Sequence, residues 1–241
     1  TTEIYTLSLH DALPILSWGA LGVESYAAYK PDLALKYVEN ILAQYKKDGL
    51  AFQRYGRSKQ DGLGDDILSG NSLAMVGLYK SIYGLNPLYN RLYLNPHLTG
   101  KLFGTKLIYS FRNEKLEIDL DNTQYSISGK RFKISSKTDF GFLTQENTLE
   151  YFNRNEDVYS LKAGLTSAGK LAIDVENWDN TEKSWTQNAS VAVAYFITGL
   201  KAGTIYNILV DGKVYQSASC NPKGILEFKL NAGMVRVSVQ S

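Results

Sequence analysis

The hydrophobic pattern of the chain changes at Pro87, and this change limits the possible folds more than any other feature. After Pro87, apolar and polar residues alternate with a period of two in segments such as TKLIYSF and KLEIDL. Such alternation is typical of strands, because successive side chains lie on opposite faces of a sheet. Pairs of turn residues separate the segments: Arg112-Asn113, Asp121-Asn122, Ser128-Gly129 and Asp211-Gly212. The pattern predicts one antiparallel β-sandwich in residues 87–145 and a second, Ig-like module in residues 146–241.

Before Pro87 the spacing is that of helices. Apolar residues follow Pro31 at intervals of three and four, which predicts an amphipathic helix that ends at Gly49. A second helix is predicted from Ser72 to Tyr83, and it is apolar around most of its circumference. A helix of that kind is buried on several sides. We therefore expect residues 16–86 to be the last helices of a larger helical domain.

A loop rich in Gly and Asp connects the two predicted helices and contains Asp61, Asp65 and Asp66. Loops held by a rigid scaffold often carry catalytic residues, and carboxylates serve as general acids and bases. The same composition is typical of a solvated turn with an Asp or Asn cap before the next helix. The sequence leaves both interpretations open.

Composition excludes several classes of function. The net charge is +2, and no basic tract points to nucleic acid or to an anionic membrane surface as a partner. Because the chain lacks a run of about 18 apolar residues, we expect no membrane insertion. Cys220 is the only cysteine, which excludes an intrachain disulfide. His97 is the only histidine after residue 10, so we predict no metal site and no cofactor.

Residues 1–15, TTEIYTLSLHDALPI, resemble the in-frame translation of a sequencing adaptor, and we exclude them from reasoning about fold and function as an artefactual segment. On this interpretation the natural reading frame begins at about Leu16. We expect that a preceding part of the same protein, with any signal peptide, lies outside the sequence.

The order of an apolar helix, the segment GLNPLYNRLYLNPHL (84–98) and alternating strands is similar to the end of the catalytic domain in six-hairpin, (α/α)6-toroid glycosidases, the clan of alpha-L-rhamnosidases and maltose phosphorylases. This resemblance implies a multi-domain α and β protein in which the last helices of an (α/α)6 toroid, residues 16–86, precede antiparallel β-sandwich domains. TGLKAGTIYNILVDGKVYQSAS (198–219) resembles the small terminal β module of many secreted bacterial polysaccharide-degrading enzymes. An extracellular or periplasmic location is the corresponding expectation.

The resemblance also implies a carbohydrate substrate and a pair of carboxylates that flank the glycosidic bond. Gln53 stands where related families have a catalytic Glu, so Asp65 and Asp66 become the candidates for the base, with Glu24 as the next choice. The acid would lie upstream of Leu16. We predict four sugar-binding residues, two for stacking and two for hydrogen bonds: Trp18, Tyr55, Gln53 and Arg54.

Three functions remain in competition. The first is the C-terminal part of a glycoside hydrolase, which we expect to be inactive by itself because its acid and the walls of its active site are missing. The second is a toroid plus β-sandwich polysaccharide lyase, which would abstract a proton next to a uronate. The third is a non-catalytic β module that binds carbohydrate or acts as a spacer.

Overall fold

Strands dominate the folded chain, and two large sheets contain most of them. A computed structural model describes residues 12–14, 22–48, 52–56, 62–66, 75–153 and 160–241. Of these, residues 12–14, 48, 52–56 and 62–66 are described by their backbone alone. The chain divides into two units, which are Thr1–Leu85 with Pro96–Lys101, and Asn86–Asn95 with Leu102–Ser241.

The first unit contains the helices. A helix covers residues 22–27, and a longer one extends from Pro31 to Asp48. Pro31 is the first residue of the long helix, where its missing N–H costs no hydrogen bond. Lys46 and Lys47 lie in its last turn, where the helix dipole favours cations. The amphipathic helix predicted from Pro31 is therefore confirmed.

The second predicted helix is described from Met75 onward. Residues 75–76 are α-helical, and Gly77–Ile82 then form a π-helix. A Cβ atom at Gly77 would lie 3.2 Å from Val23, so the glycine allows the two segments to pack closely. Ile82 is fully buried, as the apolar pattern predicts, whereas Met75 and Val76 are exposed, against that prediction. A short 3-10 helix, Gly100–Leu102, follows later in the chain.

Three short strands form a separate sheet in the order β1-β2-β3: Ala12–Pro14, Phe52–Gly56 and Gly62–Asp66. All pairs are antiparallel. Residues 62–66 were predicted to be a loop, and the structure places them in β3 instead. Residues 12–14 belong to the segment that resembles an adaptor, and they pair with residues 54–56 of β2.

The strands of the two large sheets are β4 (Leu85–Leu88), β5 (Arg91–Leu94), β6 (Thr105–Phe111), β7 (Glu114–Leu120), β8 (Tyr125–Ser128), β9 (Phe132–Ser136), β10 (Phe140–Gln145), β11 (Thr148–Asn153), β12 (Ser160–Leu165), β13 (Leu171–Trp178), β14 (Glu182–Ala189), β15 (Val193–Ile197), β16 (Ile205–Val210), β17 (Lys213–Ser219), β18 (Leu226–Leu230) and β19 (Gly233–Gln240). The seven-stranded sheet has the order β18-β15-β12-β11-β10-β5-β4, and the nine-stranded sheet has the order β17-β16-β19-β14-β13-β9-β8-β7-β6. Antiparallel pairs predominate, and β9 pairs with β13 in parallel.

Several turns predicted from residue pairs are confirmed. Arg112 and Asn113 connect β6 to β7 with φ angles of 49° and 67°. Asp211 and Gly212 connect β16 to β17 with φ angles of 49° and 76°. Asn, Asp and Gly tolerate this left-handed region better than other residues, which is why such pairs signal two-residue hairpins.

Aromatic rings from both large sheets form the core between them. Neighbouring ring centroids lie between 5.3 and 6.3 Å apart. The rings are those of Phe140, Tyr151, Trp178, Trp185, Tyr195 and Phe228. Rings at these separations add favourable edge and offset contacts to the burial of apolar area. The core therefore joins the two sheets into one β-sandwich.

The predicted (α/α)6 toroid is wrong for the part of the chain that the structure describes. Strands make up 51% of the structure and helices 18%, and the helices do not form a toroid. The physical reason lies in residues 52–56 and 62–66, which lie between the predicted helices and pair as strands β2 and β3. The stretches 87–145 and 146–241, predicted as separate sandwiches, contribute strands to the same two sheets.

No helix in the described ranges has both the length and the apolar character that a membrane span requires.

Candidate functional site

The predicted site residues lie mostly on the small sheet of the first unit. Gln53, Arg54 and Tyr55 belong to β2, while Asp65 and Asp66 belong to β3. The two strands pair antiparallel, and the register places Asp66 opposite Phe52 and Leu63 opposite Arg54. The backbone thus brings the candidate base and three candidate sugar contacts onto one strand pair. Trp18 and Asp61 lie outside the described residues.

Three other residues singled out in the sequence have identifiable surroundings. Glu24 Oε1 lies 3.3 Å from Lys80 Nζ in an exposed ion pair. His97 Nδ1 lies 3.1 Å from the Ser81 carbonyl oxygen, and the His97 backbone N–H donates to the Ile82 carbonyl at 2.8 Å. Both contacts of His97 are structural. Burial raises the pKa of the Cys220 thiol, which disfavours the reactive thiolate.

A cleft of about 920 Å³ lies in the β-sandwich, and no single pattern in the sequence indicates it. Its volume falls in the range of small-molecule binding sites, roughly 300–1,000 Å³. The lining is made of Phe111, Arg112, Asn113, Glu114, Leu116, Lys130, Arg131, Phe132, Leu143, Thr144, Gln145, Glu146, Asn147, Thr148 and Lys162.

Three turns at the same end of the sandwich, together with the strand ends that flank them, supply most of this lining. They are residues 112–113 between β6 and β7, 129–131 between β8 and β9, and 146–147 between β10 and β11. The first two turns belong to the nine-stranded sheet and the third to the seven-stranded sheet. Because antiparallel strands return every second connection to the same end, the topology itself brings these turns together.

Arg131 connects the turns around the cleft. Its Nε–H donates to the Gly169 carbonyl at 3.1 Å, and Nη1 donates to the Glu146 carbonyl at 3.3 Å and to Asn147 Oδ1. Nη2 donates to the Ser167 carbonyl at 3.5 Å. All four acceptors are neutral. The guanidinium therefore holds two loops of the chain in place. Its positive charge is not neutralised by these contacts, because none of the four acceptors is a carboxylate.

Glu114 is held against the turn that contains Lys130. Its Oε1 accepts the Lys130 backbone N–H at 2.8 Å. A Cβ atom at residue 129 would overlap this carboxylate, so Gly129 is needed for Glu114 to approach the turn. One of the two carboxylates of the lining is thus occupied by a contact within the protein.

The floor of the cleft is apolar and its rim is polar. Leu116, Phe132 and Leu143 are buried, and Phe111 is half-buried at the end of β6. Amide, hydroxyl and guanidinium groups surround this floor, and each can form several hydrogen bonds. An apolar surface with a ring of multidentate polar groups can bind a ligand that has one apolar face and many hydroxyls.

The ionisable side chains of the cleft lining are those of Glu114, Glu146, Lys130, Lys162 and the two arginines, with no His and no Cys among them. Among the described residues, no group of three or more His, Cys, Asp or Glu side chains could hold a metal ion.

Comparisons with known proteins give no further assignment: no protein family matches the chain, and neither a curated protein nor a solved structure is similar to it.

The sequence contained a partial signal for the cleft. Arg112-Asn113 and Ser128-Gly129 were predicted as turns, and charged residues lie within or next to both. These two turns are far apart along the chain, so the sequence gave no reason to place them at one site. The third turn, at residues 146–147, was not predicted. Lys162 comes from the middle of a strand and has no local signal at all.

Proposed function

We propose that this chain is the non-catalytic, carbohydrate-binding part of a secreted carbohydrate-active protein, and that the cleft of the β-sandwich is its binding site. The single observation that carries the proposal is the combination of an apolar floor with a rim of amide, hydroxyl and charged groups. Sugars present an apolar face and a ring of hydroxyls, and multidentate side chains bond such hydroxyls. The resemblance of residues 198–219 to a module of polysaccharide-degrading enzymes supports the same class of ligand.

The proposal is tested by measuring the binding of tetrasaccharides from several plant and bacterial polysaccharides to the 241-residue chain by isothermal titration calorimetry. We expect at least one to bind and Gln145→Ala to weaken that binding about threefold, since Gln145 lies exposed at the rim. Gln216→Ala is the matched control, because Gln216 is exposed on β17 and does not line the cleft. Equal losses from the two variants would exclude the cleft as the site.

A second candidate function is supported by the strand pair β2 and β3, whose backbone brings Asp65 and Asp66 near Gln53, Arg54 and Tyr55. We propose, as the alternative, that a glycoside hydrolase contains this chain and takes its base from Asp65 or Asp66. In that hydrolase, one of Asp65→Asn and Asp66→Asn should lower kcat at least 10²-fold, which is typical of losing a general base. Unchanged turnover in both variants would exclude this candidate.

A further inference from the structure

We infer that the cleft recognises an acidic oligosaccharide through anionic groups on the sugar, carboxylate or sulfate. This inference rests on the proposed function, since it specifies the chemistry of the carbohydrate that the cleft binds. Its evidence is the distribution of charge around the cleft, together with the contacts that the charged groups already make.

Cations outnumber carboxylates in the lining. The lining contains four cationic side chains and two carboxylates. The cations are those of Arg112, Lys130, Arg131 and Lys162, and the carboxylates are those of Glu114 and Glu146. The net charge of the whole chain is only +2, so this excess is a local property of the cleft. A cleft with a net excess of one sign of charge attracts ligands of the opposite sign.

These cations are not neutralised within the described part of the protein. The ion pairs that the structure gives join Lys80 to Glu24, Lys101 to Glu39, Lys106 to Asp119, and Arg236 to Glu176 and Glu182, and none includes a cation of the cleft. Lys162 lies opposite Glu150 in the sheet register, without an ion pair between them. Glu150 Oε1 instead accepts a hydrogen bond from Ser160 Oγ at 3.4 Å.

The two carboxylates of the lining offset only part of this charge. Glu114 accepts the Lys130 backbone N–H and keeps its negative charge, and Glu146 is exposed within its turn. The Glu146 backbone carbonyl, not its carboxylate, accepts the bond from Arg131. Four cations less two carboxylates leave an excess of two positive charges in the lining.

Arg131 is oriented before any ligand arrives. Its four hydrogen bonds to neutral acceptors engage four of its five N–H donors. One donor of Nη2 and the full positive charge remain for a ligand. A side chain that is already ordered loses little conformational entropy on binding, which favours affinity.

Sequence inspection could not find this charge cluster, because its four members come from three separate places in the chain. Only Lys130 and Arg131 are adjacent, and Arg112 and Lys162 are brought to them by the turn of β6 with β7 and by β12. The absence of a basic tract in the sequence is therefore compatible with a basic cleft in the folded protein.

The experiment compares acidic tetrasaccharides from polygalacturonate, alginate and hyaluronan with the same sugars after reduction of their carboxyl groups to alcohols. Binding to the 241-residue chain is measured by titration calorimetry at about 50 and 300 mM NaCl, conditions between which screening changes strongly. We expect the best acidic sugar to bind at least tenfold more tightly than its reduced form, with a preference that falls at the higher salt. A sulfated tetrasaccharide with reduced carboxyls shows whether sulfate can take the place of carboxylate. Tighter binding of either the carboxylated or the sulfated sugar than of the uncharged sugar supports the inference.

Two double variants locate the effect. Lys130→Met with Lys162→Met should lower the affinity for the acidic sugar about tenfold and leave the affinity for the reduced sugar nearly unchanged. Lys133→Met with Lys229→Met removes the same charge from exposed strand positions outside the cleft, and it should change neither.

The outcomes separate the inference from the proposed function. Equal binding of acidic and reduced sugars would overturn the inference and leave carbohydrate binding intact. Binding of no sugar would overturn both. Equal losses from the two double variants would show that net charge, and not the cleft, attracts the acidic sugar, which also overturns the inference.

Discussion

Two arginines of the β-sandwich differ in the charge of the groups that accept their hydrogen bonds. Arg236 on β19 donates through Nε to Glu176 Oε2 at 2.7 Å, and its Nη2 lies 3.8 Å from Glu182 Oε1. Arg131 beside the cleft bonds three backbone carbonyls and one side-chain amide. Both are held by several partners, but only Arg236 is neutralised by carboxylates.

The difference separates a stabilising contact from a contact that also prepares a binding site. A partly exposed ion pair contributes little to stability, about 0–1 kcal/mol. Hydrogen bonds from a charged donor to neutral acceptors contribute more, about 1.5–3 kcal/mol each in favourable cases. They also leave the charge available to a ligand. Arg131 should therefore be important for both stability and affinity, and Arg236 only slightly for stability.

The largest expected effect is that of Arg131→Ala. This variant removes the bonds to the loops at residues 146–147 and 167–169, so we expect the free energy of unfolding to fall by about 2 kcal/mol. The affinity for an acidic tetrasaccharide should fall at least tenfold. Chemical denaturation and titration calorimetry measure the two quantities.

Arg131→Lys is the control for this prediction. A lysine keeps the charge but cannot reproduce the planar fork of donors, so it should restore part of the affinity and little of the stability. If Arg131→Ala unfolds as the unmodified chain does, the proposed role of Arg131 in holding the loops is wrong.

A smaller effect is expected at Gly129. A Cβ atom there would overlap the Glu114 carboxylate and lie 3.0 Å from its Cδ. Glu114 must then move, and the bond from the Lys130 N–H is lost, at a cost of about 1 kcal/mol. Released from this bond, the Glu114 carboxylate is free to pair with a cation of the cleft, so Gly129→Ala should lower the affinity for the acidic sugar about twofold.

Glu114→Gln provides the test of that mechanism. In the Gly129→Ala background it removes the displaced charge and should restore the affinity while leaving the stability reduced. Affinity that stays low in the double variant would show that the turn itself, not the charge of Glu114, is responsible.

Arg236→Ala should have a still smaller effect. The side chain is 47% exposed and Glu176 is 31% exposed, so solvent screens their attraction, and the expected loss in the free energy of unfolding is about 0.5 kcal/mol. The affinity for tetrasaccharides should not change, because Arg236 does not line the cleft. A loss of affinity equal to that of Arg131→Ala would remove the distinction between the two arginines.

The sequence predicted the elements that depend on neighbouring residues. The helix at Pro31 and the hairpins at Arg112-Asn113 and Asp211-Gly212 are confirmed, because spacing, caps and left-handed turn residues act within a few positions. Residues 62–66 were assigned to a loop because Gly and Asp are depleted in strands, and pairing with β2 overrides that preference.

Features that join distant residues could not be predicted. The parallel pairing of β9 with β13 brings Ile134 beside Ile173, and no local pattern indicates that partner. The cleft depends on the same kind of pairing, since its turns come from both large sheets. Among the catalytic and sugar-binding candidates, Gln53, Arg54, Tyr55, Asp65 and Asp66 share one strand pair, and their roles stay predictions.

The smallest expected effect concerns Asp179. Like Arg131, it is a charged side chain held by neutral hydrogen-bond partners, but its charge is negative. Its carboxylate accepts hydrogen bonds from the Glu182 N–H at 2.8 Å, the Thr181 hydroxyl at 2.7 Å, the Asn177 amide at 3.0 Å and the Thr181 N–H at 2.7 Å. These neutral donors hold the pKa of Asp179 well below its ordinary value.

Because the folded-state pKa is lowered, the charged carboxylate stabilises the fold above the unfolded-state pKa of about 3.9, and this contribution is lost as the pH falls through the folded-state value. Asp179 is exposed, so the effect is small. We expect Asp179→Asn to lower the midpoint of thermal unfolding by about 1 °C at pH 7 and pH 5. The difference between the two proteins should shrink at pH 3, as the unfolded chain of the unmodified protein takes up a proton. A difference that is unchanged or larger at pH 3 would mean that the turn does not depend on this charge, and the parallel between Asp179 and Arg131 would not hold.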